Sequence, residues 1–514
     1  MSKTIIIIGA GLAGLSAALQ AAENGCNVKL VSSLPSERAQ SVMAEGGINA
    51  ALNTKDENDS PEEHFTDTIK AACGLADPNA VWGMTQAAPE LVHWLLKLGV
   101  KFNMSGYDDV DLRNFGGQKK KRTAFAQSDT GKQIMTAMID AVRRKEASGM
   151  VERFSHHSFL TLRLCGNICC GCVIRDEYSQ ETVELPGDAV IVATGGMHGL
   201  FGNTTGSLSN TGEVTAELFR LGVPLANGEM IQYHPTTVKC GGKRMLISEA
   251  ARGEGGRLFA MKDGKQWYFM EEKYPELGNL MPRDITAREI WKVSHESEVF
   301  LDMTEISEEI ISNKLSGLAD DCMTYLHKDI RKEPVSVLPG IHYFMGGILV
   351  DEQHRTPIQN LCAAGECCAQ YHGANRLGGN SLLGALYGGR VAAKSACEQA
   401  DVVDLSCATQ IDFPPASQIS EIKQLNEVMQ ETMGVVRNEN TLLNGIQTVQ
   451  ALTGNLPLLG MAVLKSALAR KESRGAHWRE DYPKSNDDDY LKTTVARFDG
   501  KQIQISFVPV PERR

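Results

Sequence analysis

Apolar residues fall along this chain in short bursts that run into glycine. The stretch "TIIII" at 4–8 is continuously hydrophobic, long enough for a strand buried on both faces and too short for a helix. Gly9, Gly11 and Gly14 follow at GxGxxG spacing, then an Ala/Leu-rich helical stretch runs to Asn24–Gly25, and a second apolar strand completes a βαβ unit. "DAVIVATGGMHGLFG" (188–202) and "NLCAAGECC" (360–368) repeat the pattern of an apolar strand ending in glycine. Such strands at distant positions predict one parallel sheet assembled from separated segments around a single cofactor. The more charged stretch 228–340 then reads as an insertion. "ISEIKQLNEVMQETMGVVRNENTLLNGIQTVQALTG" has helical spacing with few glycines, predicting a helical domain over roughly 410–475.

In "CGNICCGC" (165–172), Gly166–Asn167 reads as a hairpin turn between two strands. Side chains alternate across a strand, so Cys169 and Cys170 point opposite ways, which disfavours an iron–sulfur or zinc cluster there. No metal site is expected. "SNDDDY" (485–490) reads as an acidic surface loop.

At 514 residues the chain exceeds one ordinary core and can enclose a large cofactor. Its formal charge of −11 argues against nucleic-acid binding, and the only basic run, Lys119-Lys120-Lys121-Arg122, reads as a solvated loop. No stretch reaches the ~20 apolar residues of a membrane span, and Ile5–Ile8 is too brief for a signal-peptide core, so a cytoplasmic protein is expected. Thirteen cysteines without a secretory signal fit reduced thiols.

The βαβ glycines allow a tight turn, a close backbone approach to a pyrophosphate and close helix–strand packing, while the helix N-terminus offers N–H groups to an anion. Where a carboxylate usually meets the ribose, at the end of the second strand, stand Ser32 and Ser33, so the motif alone leaves NAD and FAD open. Arg376, in "YHGANRLGGNSLLGALYGG", is a permanent cation among small and apolar neighbours. It needs either a distant acid or a carboxylate ligand.

The words "SVMAEGGINAAL", "RNFGGQKKKRTAFAQSDTG", "QYHPTT", "SEAARGEGGRL", "MPRDITARE", "PGIHYFMGGI" and "HGANRLGGNSLL" occur in the order of the succinate dehydrogenase and fumarate reductase flavoprotein family, which includes L-aspartate oxidase. The chain resembles that family over about residues 3–395, and "RKESRGAHWREDYP" (470–483) extends the likeness. The resemblance implies an α/β fold: a discontinuous Rossmann-like FAD-binding domain (1–227 and 341–405), an inserted α+β capping domain (228–340), a helical domain (406–480) and a C-terminal extension (481–514). Fumarate reduction or its reverse is implied, with a C4 dicarboxylate held against the flavin, hydride from flavin N5 and a proton from Arg283 through a relay of Glu249 and Arg252. The implied substrate residues are Phe115, His234, Ser248 (threonine in most of the family), His342 and Arg376. Implied FAD contacts are Gly9, Gly11, Ala13, Gly14, Ser32, Ser33, Gln40, Ser41, Ala44, Glu45, Gly46, Gly47, Ala193, Thr194, Gly195, Glu213, Glu366, Ser381 and Leu382.

Departures from the family words discriminate further. Membrane-bound members tether FAD through a histidine in a word like "RSHTV"; here "RAQSV" places Gln40 there, and an amide cannot form that bond, so FAD is expected to be noncovalent. Lack of a tether goes with a lower flavin potential and leans toward reduction. "SNTGEVTAE" (209–217) replaces the usual TGDG, with Glu213 for aspartate and Val214 for glycine, which puts that cofactor contact in question. Aspartate oxidases resemble "REGG" where this chain has "RNFGG", and Phe115 cannot meet a substrate ammonium. A third reading is an electron-carrying or scaffolding subunit with an idle pocket; the density of cations disfavours it. With no iron–sulfur motif of its own, the chain is expected to receive electrons from an iron–sulfur or other electron-transfer subunit, which would also mediate any membrane association.

Overall fold

The computed structural model describes residues 2–106, 109–399, 413 and 418–514. Its central parallel sheet joins strands far apart in sequence, in the order Leu361–Ala363, Ala189–Val192, Thr4–Ile8, Asn27–Ser32, Val151–Ser155. Ile5, Ile6 and Ile7 are fully buried because the sheet is covered on both faces. One cover is the helix Leu12–Glu23, which lies against the helix Asn380–Gln399. That packing depends on Gly389: a Cβ there would sit 2.3 Å from the Ala13 carbonyl oxygen.

A second core forms within the segment read as an insertion. A three-stranded antiparallel sheet (Lys243–Leu246, Ile231–Cys240, Leu338–Phe344) and a four-stranded one (Lys265–Trp267, Arg257–Lys262, Val299–Asp302, Val335–Ser336) share this region with the helices Glu249–Gly253 and Arg283–Val293. Its apolar centre, with Ile247, Leu258, Ile290 and Leu301, also takes in Phe115 from the sheet-bearing part of the chain. The helices Ile419–Thr432, Glu439–Val449 and Asn455–Ala469 surround a third core with Phe201, Phe219 and Phe344. The junction expected at 405/406 lies outside the described residues.

The final strands, Lys492–Phe498 and Ile503–Pro509, form a hairpin that pairs with Leu225–Ala226 and so enters a five-stranded sheet. Beneath it the "RKESRGAH" word folds into a buried charge cluster. Arg470 Nε donates to Glu229 at 2.7 Å and its Nη1 to Glu472 at 2.7 Å. Its Nη2 reaches the Lys492 carbonyl and the Thr494 hydroxyl, both at 2.7 Å, tying the hairpin down.

Three expectations need correction. Arg122 is not solvated but fully buried, donating to Asp59 at 2.8 and 3.1 Å and lying 3.0 Å from Asp67. The two acids come from the preceding loop and helix, which a local charge run does not reveal; Lys119 and Lys121 are exposed as expected. The acidic "loop" is a short exposed helix, Asp487–Tyr490, capped by Asn486, with Asp487 paired to Arg474. Among the described residues eleven cysteines are free, but Cys165 is disulfide-bonded. The Gly166–Asn167 turn joins strands His157–Cys165 and Ile168–Asp176 as read; Cys169 enters the core under the sheet while Cys170 Sγ reaches the Arg163 carbonyl. No helix among the described residues is long and apolar enough to cross a membrane.

Removing one partner of a buried ion pair strands the other charge. Arg470→Leu is therefore expected to cost about 3–5 kcal/mol in denaturant unfolding. Arg143→Leu, which breaks only exposed surface pairs with Glu37 and Asp140, should stay close to wild type.

Candidate active site

The first strand ends at Gly9, whose φ of +109° and whose absent Cβ are both required: an added Cβ would lie 2.3 Å from the Ala193 carbonyl oxygen. At Gly14 an added Cβ would come within 1.8 Å of the Gly9 oxygen. The helix Leu12–Glu23 that follows begins at Gly11, which has no side chain to cap it. Gly11, Leu12 and Ala13 at its start line a cavity of about 900 Å³, where the Leu12 N–H donates to the Ser41 hydroxyl at 3.3 Å. This fits a dinucleotide cofactor: a cradle of backbone donors, a floor only glycine permits, and the buried, unpartnered hydroxyl of Ser32 at the end of the next strand. All the expected cofactor and substrate residues line this one cavity apart from Gly14, under its floor, and Arg252, behind its wall. Gln40 also lines it, with its Oε1 accepting the Ser207 N–H at 2.6 Å. Glu213, whose carboxyl is raised by burial, and Val214 both reach the cavity as well.

The residues expected to meet the substrate converge from separate elements. His234 and His342 stand on the paired strands Ile231–Cys240 and Leu338–Phe344, with ring centroids 5.2 Å apart. His234 Nδ1 lies 3.1 Å from the Thr236 carbonyl and 3.3 Å from the Thr236 N–H; accepting that N–H puts the neutral ring's one proton on Nε2, which is buried and unpartnered. His342 Nδ1 is held by the Thr205 hydroxyl at 2.8 Å. Burial, followed by nearby Arg283, pushes both imidazoles well below their usual range, so both rings are neutral at pH 7. Ser248 caps the helix Glu249–Gly253 by accepting the Ala250 N–H, which leaves its own O–H to donate. The Phe115 ring is pressed against Gly46 and Gly378, where an added Cβ would fall 2.8 and 2.9 Å from it.

Arg376 is 3% exposed, and among the described residues no carboxylate lies within ion-pair distance of it. Its guanidinium lies 4.3 Å over the Tyr343 ring, and Tyr343 is in turn fixed through its hydroxyl to His372 Nε2 at 3.2 Å. Burial, with Arg283 adding repulsion, lowers Arg376 to about 9.

Arg283 opens the helix Arg283–Val293 directly after Pro282. Its Nε and Nη2 both donate to Glu249 Oε2, at 2.7 and 2.5 Å, and Nη1 donates to Gln232 at 3.1 Å. Asp284 accepts instead from Asn375, so Arg283 does not pair with its neighbour. Glu249 Oε1 accepts the Gly116 N–H and lies 3.6 Å from Arg252. Burial alone would raise the Glu249 carboxyl, but Arg283 and Arg252 hold it below the usual range. Arg283 and Arg252 thus share the Glu249 carboxylate, while Arg376 has no contacting acid and is left for an anionic ligand.

Several wall residues escaped the sequence reading. Thr205 and Tyr343 carry no sequence signal beyond lying near recognised words, since they act by touching His342 and Arg376. His156, assigned no catalytic role, lines the cavity with His157 and Tyr178, its ring 5.1 Å from the Tyr178 ring.

Glu45 adds a pH-dependent element. Burial raises its carboxyl to about 8, with Asp321 and Asp129 adding to the shift and Arg113 and Ser248 opposing it; Oε2 has no hydrogen-bond partner. The folded state therefore keeps a proton that the unfolded chain releases above its ordinary pKa near 4.5, so this group's contribution to stability falls as pH rises toward 8. Glu45→Gln should flatten the decline of the thermal midpoint between about pH 5 and 8. An unchanged slope would contradict this.

Residues 4–382 match a family model described as FAD binding domain, and residues 452–513 one described as fumarate reductase flavoprotein C-term. The chain is 38% identical, over 100% of its length and 98% of the relative's, to the succinate dehydrogenase flavoprotein subunit of Bacillus subtilis. It is 32% identical to the 8-methylmenaquinol:fumarate reductase flavoprotein subunit of Wolinella succinogenes, covering 100% of this chain and 92% of that one. A solved E. coli quinol fumarate reductase FrdA variant superposes with a TM-score of 0.90 at 27% identity, covering 99% and 97% of the two chains. Fold, cavity and sequence agree: the chain belongs to the succinate dehydrogenase and fumarate reductase flavoprotein family of FAD-dependent oxidoreductases.

Proposed function

We propose that this protein reduces fumarate to succinate. The observation that carries the reading is the placement of Arg283, bound to Glu249, within the cavity that also holds His234, His342, Arg376 and Phe115. The glycine cradle, Ser32, Gln40 and Glu366 would hold FAD, which supplies the hydride chemistry when bound. One substrate carboxylate meets Arg376 bidentately, offsetting the desolvation of its guanidinium. The other is met by His234 Nε2–H and the Ser248 hydroxyl, with His342 alongside. These donors stabilise charge as it develops on the enoate. Arg283 then gives its proton to the neighbouring carbon and recovers one through Glu249 and Arg252. A guanidinium is a weak acid, but the developing carbanion is a strong base, and Glu249 orients the donor through two hydrogen bonds.

Phe115 presents an apolar ring where an amino-acid substrate would need an acceptor for its ammonium, which favours the diacid over aspartate. Gln40 supports noncovalent FAD and, with it, a low potential and the reductive direction. The electron source in this reading is an iron–sulfur or other electron-transfer subunit, and any association with a membrane runs through such partners.

Anaerobic protein reduced with viologen should be reoxidised rapidly by fumarate, and acid precipitation should release its FAD into solution. Arg283→Ala should retain FAD and lose roughly 10²–10⁴-fold of the fumarate rate. Peroxide formation from L-aspartate under air, with no response to fumarate, would overturn the reading.

A further inference from the structure

Beyond the clamp, two more arginines line the cavity with no acid within ion-pair distance among the described residues: Arg38, which is exposed, and Arg244, which is held in place. Arg244 lies on the edge strand Lys243–Leu246, following the Gly241–Gly242 tip. Its Nε donates to the Thr237 hydroxyl at 2.6 Å and its Nη2 to the Leu338 carbonyl at 3.3 Å. These bonds lay the side chain over Gly340, where an added Cβ would meet Nε at 2.6 Å. Gly340 is the register partner of His234 and stands two residues before His342. The backbone N–H of Arg244 is also tied to the Thr204 carbonyl, next to the Thr205 that holds His342. Its guanidinium is therefore fixed on the wall beside both clamp histidines.

Arg244 is half-buried, and among the described residues no carboxylate lies within ion-pair distance of it. Burial lowers its pKa, with the Tyr233 phenol acting against that. An arginine held by two neutral acceptors keeps its charge free for a ligand. In a chain with a net charge of −11, which repels an approaching dianion, a local cation at the cavity has its largest effect on capture.

We propose that Arg244 is a specificity residue that captures dicarboxylate anions and passes them to the clamp. This rests on the dicarboxylate reading above. The test uses the oxidised holoenzyme, in which fumarate binds without turning over, and follows the flavin spectrum by stopped flow at low and high salt. Crotonate, a monoanion with the same alkene, is the comparator. In Arg244→Gln the association rate for fumarate should fall about 10-fold, with a weaker salt dependence and a smaller loss for crotonate. Arg244→Lys should recover most of the rate, and in turnover the loss should appear in kcat/KM rather than kcat. Unchanged fumarate association and salt dependence in Arg244→Gln, or an equal loss for fumarate and crotonate, would overturn the inference while leaving the function intact. Failure of the wild-type protein to bind fumarate would instead overturn the functional reading and this inference with it.

Discussion

The structure is organised around positive charge that the protein does not neutralise. Arg376 is buried on an aromatic ring with no acid in contact, and Arg283 and Arg252 share the single carboxylate of Glu249. Stranding charge in a protein interior is costly, of the order of several kcal/mol per ion. Such an arrangement persists only if the rest of the fold over-determines it and an anion relieves it. Two other buried cations are instead paired with acids, Arg122 with two aspartates and Arg470 with two glutamates, and those pairs hold the fold together, whereas Arg376 faces the cavity and is left for a ligand.

Each part of the fold supplies something that the site needs. The parallel sheet and its glycine turn present backbone donors to a cofactor, and the close helix packing at Gly389 leaves no room for that floor to shift. The strand pair Ile231–Cys240 and Leu338–Phe344 sets the two histidines face to edge. Thr236 and Thr205 occupy the Nδ1 atoms, so in both rings the free nitrogen is Nε2. The helix beginning at Pro282 places Arg283 at its first turn, opposite Glu249 on the helix capped by Ser248. The proposed proton relay thus takes Arg283 and Glu249 from the first turns of two helices, which are rigid supports.

Much of this was legible in the sequence, for physical reasons. Apolar runs that end in glycine read as buried strands of a nucleotide fold, so the joining of the segments at 4, 189 and 361 into one parallel sheet followed from pattern, though their order in it did not. The oddity of Arg376 pointed to an anion site before any coordinates. What stayed hidden depended on partners far apart in the chain. Arg122 looked like part of a solvated basic run because Asp59 and Asp67 meet it only in three dimensions. Thr205, Tyr343 and Arg244 act by touching or adjoining other side chains, and nothing in their local spacing marks that. The terminal hairpin went unread because its pairing partner, Leu225–Ala226, is only two residues long and lies over 260 residues earlier.

The most direct measurement is a crystal structure of the oxidised protein with fumarate bound. The account predicts one carboxylate on both guanidinium edges of Arg376 at about 3 Å, the other on His234 and Ser248, and Arg283 facing an alkene carbon. A fumarate bound away from Arg376, or an Arg376 found paired with a protein carboxylate, would contradict it.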